Sequence, residues 1–270
     1  MIKKVALVIS IASVSLLAAH AQIVAFDDYE NPFSPPNGNP GDIAYGYNGG
    51  FGYGALTFVS GAGGGVFAMN NNAGGRQIDN NQSVGMFSGG GSQAAGRSLT
   101  APVTNGIFNV DARWDITNGA DAFTGINLDT VLGAGFGTGE ALSFGLIGGN
   151  NSQYAITDST GIHFLSVGTD GELRGGAFNF NVAFNTGTDS YILTVTDKSN
   201  GQQGVIAGQL EGAPAAIDAF KFTNLDTDGG NQNLMLDNTS FTVVPEPSTI
   251  AAAVLALAGT IFLRRRWASA

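Results

Sequence analysis

The sequence predicts an all-β protein, and three observations carry that prediction. First, apolar and polar residues alternate without a break through Phe108-Asn109-Val110-Asp111-Ala112-Arg113-Trp114-Asp115-Ile116, and again through Phe178-Asn179-Phe180-Asn181-Val182-Ala183-Phe184. That period of two belongs to a half-buried strand. Second, turn signals recur between the apolar runs, as in Asp158-Ser159-Thr160-Gly161, Thr186-Gly187-Thr188-Asp189 and Lys198-Ser199-Asn200-Gly201. Third, glycine supplies 41 of 270 residues while charged residues make up only 12%, a balance suited to sheets and tight turns rather than helices. No segment outside the two chain ends sustains a helical period.

Taken in order, Ile23 to Phe26 reads as a short opening strand. Residues Asn31 to Gly41, rich in Pro, Gly and Asn, read as a loop, and Tyr45 to Gly54 as a glycine-aromatic stretch. Ala55 to Ser60 and Gly65 to Met69 read as strands. The polar region Asn70 to Gly96 is expected to form long loops, with one short strand at Ser83 to Phe87. After the strand at Phe108 to Ile116, further strands are expected at Ala141 to Ile147, Gln153 to Thr157, Ile162 to Val167, Phe178 to Phe184, Tyr191 to Thr196 and Val205 to Leu210. A helical turn is expected near Ala213 to Asp218, and strands at Ala219 to Asn224 and Asn233 to Val243 close the domain. About a dozen short strands separated by turns imply a β-sandwich or barrel. In the alternating strand, Asn109, Asp111, Arg113 and Asp115 share the wet face, and Trp114 lies on the buried one.

Charge and cysteine usage restrict function. All 21 acidic residues lie within Gln22 to Pro247, whereas five of the 11 basic residues lie outside that span, so it carries about −15. Such a surface does not bind nucleic acid through phosphate contacts. With no cysteine, disulfides, thiol nucleophiles and zinc-thiolate sites are excluded.

The two ends read as addresses. Lys3 and Lys4 precede an apolar run from Val5 to Ala18, and Ala19-His20-Ala21 is a small-x-small site, so residues 1–21 form a secretory signal peptide cleaved after Ala21. An uncleaved N-terminal anchor is the alternative. At the other end, Pro245-Glu246-Pro247 is a rigid polar break, Ile250 to Leu263 is mostly apolar, and Arg264, Arg265 and Arg266 form a basic stop. The apolar run is expected to be a helix of roughly 21 Å, against a hydrocarbon core of about 30 Å. A lasting single-pass anchor is the alternative reading of this segment. From Val244 to Arg266 the tail resembles the PEP-CTERM sorting signal of Gram-negative bacteria, the substrate tag of exosortases. The resemblance implies transient membrane insertion of the tail, recognition at Pro245, Glu246 and Pro247, and removal of the membrane segment by a cysteine transpeptidase. It also implies a setting at the cell surface or in an exopolysaccharide matrix.

The expected organisation is therefore a signal peptide at 1–21, a β-sandwich ectodomain at 22–243 and a sorting signal at 244–270. The ectodomain resembles concanavalin-like and carbohydrate-module jelly rolls at its opening Phe26-Asp27-Asp28-Tyr29-Glu30-Asn31 and its closing Leu234-Met235-Leu236-Asp237-Asn238-Thr239-Ser240-Phe241. That resemblance implies a structural Ca2+ held by Asp28, Glu30 and Asp237, with ordinary turn and edge roles as the alternative. Asp226 to Asn233 is a second acidic, glycine-containing run, without the bidentate Glu of an EF-hand loop. Tyr45, Tyr47, Phe51 and Tyr53 are the candidate sugar-stacking residues, since aromatic faces pack on pyranose rings; the alternative places them under a loop. Catalysis has little support. His163 is the one histidine outside the signal peptide, and Glu140 and Glu172 are isolated mid-domain glutamates. The expectation is a non-enzymatic protein of the cell envelope or extracellular matrix, structural or exopolysaccharide-binding, its partners being signal peptidase, an exosortase, exopolysaccharide and, before processing, the membrane. The alternative is a polysaccharide hydrolase or lyase using two carboxylates on a sheet face.

Overall fold

The computed structural model describes residues 21–29, 47–61, 64–70, 78, 82–89, 92–116, 123–133, 139–147, 150–167, 175–225 and 231–245. The sandwich spans Ile23–Thr242, and the chain ends, Met1–Gln22 and Val243–Ala270, fall in a separate unit. Among the described residues every regular element is a strand. The apolar tail segment and the signal peptide up to residue 20 lie outside them.

Two antiparallel sheets form a jelly-roll sandwich. One contains β1 (Gln22–Asp27), β3 (Gly64–Asn70), β4 (Gln82–Gly89), β6 (Asn105–Ile116), β11 (Ala177–Asn185), β12 (Ser190–Asp197), β13 (Gln203–Gln209) and β15 (Asn231–Val243). The other contains β2 (Thr57–Gly61), β5 (Gln93–Val103), β7 (Phe123–Asp129), β8 (Glu140–Ile147), β9 (Asn150–Asp158), β10 (Gly161–Leu165) and β14 (Ile217–Leu225). The eight-stranded sheet runs β13-β12-β11-β6-β15-β4-β3, with β1 added beside β15, and the seven-stranded sheet runs β10-β9-β8-β7-β14-β5-β2. Meanders β7–β10 and β11–β13 build one side of each sheet, while β5, β6, β14 and β15 carry the chain back and forth between them.

Aromatic rings weld the two inner faces. Trp114 of β6 lies 5.5 Å from Tyr154 of β9, Phe180 of β11 stacks on Phe144 of β8 at 5.3 Å, and Phe108 of β6 meets Phe220 of β14 at 5.6 Å. Trp114 donates its indole N–H to the Thr124 carbonyl at 2.8 Å, so its one polar atom is satisfied inside the core. The alternation expected in β11 is realised residue by residue, with Phe178, Phe180, Val182 and Phe184 buried.

Three expectations need correction. The region from 70 to 96 contains all of β4, which includes the short strand expected at Ser83 to Phe87, and also the start of β5 in place of a loop. β5 was not foreseen because Gln93-Ala94-Ala95-Gly96-Arg97 lacks β-branched residues; its small side chains instead fit a strand covered on both faces. β7 was missed altogether, although Thr124, Ile126 and Leu128 alternate toward the core. Ala213 to Asp218 is not helical: Gly212 and Ala213 turn the chain with positive φ, and β14 begins at Ile217.

Candidate functional site

At one end of the core, Asp27 of β1 and Arg97 of β5 are both fully buried and form an ion pair through Nη1 and Oδ2. Arg97 Nε donates to the Gly54 carbonyl at 2.8 Å and Nη2 to the Gly49 carbonyl at 2.9 Å. Its guanidinium also faces the rings of Tyr53 and Tyr47, at 4.8 and 5.6 Å from their centroids. Asp27 Oδ1 accepts from the Tyr29 N–H at 2.8 Å and the Tyr47 hydroxyl at 3.1 Å. Burial pushes the phenols of Tyr29, Tyr47 and Tyr53 upward, so all three stay neutral donors.

This cluster shows where the aromatic candidates lie. Tyr53 is buried at 5% exposure, Tyr47 is half-buried, and both serve Arg97. Among the described candidates it is Phe51 that presents its ring, at 54% exposure, beside Phe26. The intervening glycines have a different use from the one expected. Gly52 has φ +77°, and a Cβ there would sit 2.0 Å from the Val24 carbonyl, so glycine lets this segment lie flat on β1. Tyr45 lies outside the described residues.

Of the expected calcium ligands, Asp28 is half-buried and Glu30 lies outside the described residues. Asp237 is buried in β15, where its Oδ1 accepts the Asn238 N–H at 2.8 Å. Among the described residues no three acidic or imidazole side chains gather as a metal-binding group. Most of the acidic run from Asp226 lies outside the described residues.

A second polar cluster lies on the face of the seven-stranded sheet turned away from the core. Lys221 of β14, Asp129 of β7 and Glu140 of β8 occupy three neighbouring strands. Lys221 Nζ is 3.2 Å from Asp129 Oδ2 and 3.0 Å from Glu140 Oε1; the lysine and aspartate side chains are fully buried and that of Glu140 is 18% exposed. Asp129 and Glu140 are direct cross-strand partners across an irregularity in the register. Two like charges so placed repel. Burial, the largest influence, raises the Asp129 carboxyl to about 7, against the lowering effect of Lys221 and with a further rise from Glu140. Ser143, Asn127 and Thr223 extend the network at 3.4, 2.7 and 3.1 Å.

His163 belongs to a third cluster. Its Nε2 lies 3.2 Å from Asp158 Oδ1 and 2.8 Å from Thr160 Oγ1, while the Tyr191 hydroxyl donates to Asp158 Oδ2 at 2.8 Å. Burial pushes the Asp158 carboxyl up, but the Thr160 hydroxyl and N–H, Tyr191 and His163 outweigh it and hold the group below its ordinary value. Asp158 therefore stabilises the fold fully above about pH 4 and loses that contribution as pH falls through the depressed value. Unfolding followed against pH should show Asp158→Asn less stable than the parent at pH 7, with the difference narrowing below pH 4; a constant difference would contradict this.

The solvent face of the eight-stranded sheet carries a ladder of amides and hydroxyls. Register places Asp111, Asn179, Thr196 and Gln203 in one row across β6, β11, β12 and β13, with Asn109, Asn181 and Thr194 in the next. Asp111 accepts from Asn179 at 2.7 Å, Lys198 at 2.7 Å and Asn238 at 3.0 Å, and Gln203 donates to Thr196 at 3.1 Å. The polar face of β6 was legible in sequence, although Asp111 within it is buried beneath its own donors; its alignment with β11 required the register. Such a surface offers donors and acceptors together, at strand spacing, to a hydroxyl-rich ligand.

No curated protein matches the chain in sequence. Solved structures similar to it include peanut lectin with a 9mer peptide, at 14% identity and TM-score 0.46, covering 83% of this chain and 97% of that one. Lectin II from Ulex europaeus is similar at 9% identity and TM-score 0.44, covering 69% and 92%. The lectin from Bauhinia forficata in complex with GalNAc is similar at 11% identity and TM-score 0.43, covering 69% and 91%. Of the sorting and cleavage residues, Ala21 is exposed and Pro245 half-buried, while Ala19, Glu246, Pro247, Arg264, Arg265 and Arg266 lie outside the described residues. Residues 243–266 match the PEP-CTERM protein-sorting motif, so this β-sandwich protein carries a PEP-CTERM sorting signal.

Proposed function

We propose that the chain is a non-enzymatic protein of a Gram-negative cell envelope or extracellular matrix, whose sandwich associates with exopolysaccharide. The match of residues 243–266 to the sorting motif carries this reading, because it supports export and envelope sorting. Signal peptidase cleaves after Ala21, leaving the ectodomain 22–243 ahead of the sorting signal 244–270. The apolar run from Ile250 to Leu263 holds the tail in the membrane with Arg264, Arg265 and Arg266 on the cytoplasmic side. An exosortase then acts at Pro245, Glu246 and Pro247.

The glycan-facing surface is the amide ladder of β6, β11, β12 and β13, with the exposed ring of Phe51 a separate stacking platform. What supports binding over hydrolysis is the state of the carboxylate pair. Asp129 and Glu140 are both held on Lys221, and the Asp129 side chain has no solvent exposure. A glycosidic oxygen has to reach its acid directly.

Co-sedimentation of the purified protein with exopolysaccharide from its own envelope, with and without Ca2+, tests the reading. The parent protein should pellet with the polymer, and an Asn179→Ala/Asn181→Ala variant should bind about tenfold less, the loss of about 1.4 kcal/mol expected for one or two hydrogen bonds. Equal pelleting of the variant would remove the ladder from the account. Shortening of the polymer by the parent protein would replace binding with hydrolysis.

A further inference from the structure

We propose that Lys221 and Asp129 become joined by an intramolecular amide bond, Nζ to Cγ, with Glu140 as the proton carrier. Position is the first argument. Lys221 pairs in register with Asn127, two residues from Asp129 on the same face of β7, and Glu140 stands opposite Asp129 on β8. The amine is thus fixed between an electrophile and a base by three hydrogen-bonded strands. Such fixation replaces a bimolecular encounter by a unimolecular one.

Surroundings are the second argument. The amine and the Asp129 carboxyl have no solvent exposure. The small residues Ala94 and Ala155 are buried on the same sheet face, and Leu132 lies against Gly96 there. Water, which would favour hydrolysis over condensation, is kept from the reacting atoms. The bonding of Asp129 is the third argument. Among the described residues its carboxyl oxygens meet no donor but Lys221, whose Nζ is 3.2 Å from Oδ2. A buried carboxylate kept only for an ion pair would ordinarily have further hydrogen bonds. Its raised carboxyl supports the same view, since the neutral acid is the electrophilic form.

The reaction balances within these three side chains. The Glu140 carboxylate takes one proton from the Lys221 ammonium. The freed Nζ lone pair attacks Cγ of neutral Asp129, and the C–N bond forms. Glu140 passes its proton to the departing Asp129 hydroxyl and takes a second proton from Nζ. One water leaves, the amide keeps one N–H, and Glu140 ends as a neutral acid. Two buried charges disappear in the process, and no oxidant or cofactor enters. A chain without cysteine thereby acquires a covalent tie between β7 and β14 that reducing conditions do not open.

Tryptic mapping of the denatured full-length protein tests this. Trypsin should fail to cut after Lys221, and the peptide 114–174 should remain attached to the one beginning at Ser199, lighter than the two together by one water. Fragment ions should place the branch at Asp129. The Glu140→Gln variant should give at least tenfold less of the branched species, with free cleavage after Lys221. Separate peptides from the parent protein, a branch at Glu140 instead, or full branching in Glu140→Gln would each overturn the proposal. The parent map decides the bond itself even where the variant fails to fold.

Discussion

Replacing Arg97 by Met should destabilise the sandwich by about 3–5 kcal/mol, read as a lower urea midpoint with an unchanged slope. The guanidinium is fully buried and is the countercharge of Asp27. Without it the Asp27 carboxylate remains in the core with only the Tyr29 N–H and Tyr47 hydroxyl to support its negative charge. The Gly49 and Gly54 carbonyls lose their donors as well. An Asp27→Asn/Arg97→Met double variant should recover much of the loss, since the neutral amide keeps an oxygen for the two tyrosines and leaves no charge behind. A single variant within about 0.5 kcal/mol of the parent would show that the pair does not hold β1 and β5 together.

Phe180→Ala should cost about 3–5 kcal/mol, as large aromatic-to-alanine changes do in a packed core. Its ring centroid lies 5.2 Å from Trp114, 5.3 Å from Phe144 and 5.0 Å from Tyr154, so it touches both sheets at once. The cavity would open where β6 and β11 face β8 and β9. Urea unfolding followed by Trp114 emission measures the cost and should show a red shift as the indole loses one wall. Ile192→Ala is the matched control: Ile192 is 51% exposed on the outer face of β12 and should change stability by less than about 0.5 kcal/mol.

The contrast between those two positions explains how much of the molecule was legible in its sequence. Phe180 and Trp114 belong to strands with one wet face, so their alternation could be read directly, and a β-sandwich or barrel followed. β14 and the first half of β5, Gln93 to Arg97, are covered on both faces. There the buried set includes Arg97 and Lys221, residues that a one-dimensional reading assigns to the surface. Each is the countercharge of an aspartate far away in the chain, on β1 and β7, and only strand order brings the partners together. Tyr47 and Tyr53 were visible as an aromatic group between glycines, but their attachment to Arg97 depends on a residue more than 40 positions onward. The sorting tail needed no such register, because its three parts are local and contiguous.

We propose that this sandwich is delivered to the envelope and released from its membrane tail by processing at Pro245-Glu246-Pro247. The most direct test is the intact mass of the protein recovered from its native envelope and medium. The account predicts a chain that begins at Gln22 and ends near Pro247, with any group transferred to the new terminus as added mass. A chain that still ends at Ala270 would contradict it and make the tail a lasting anchor.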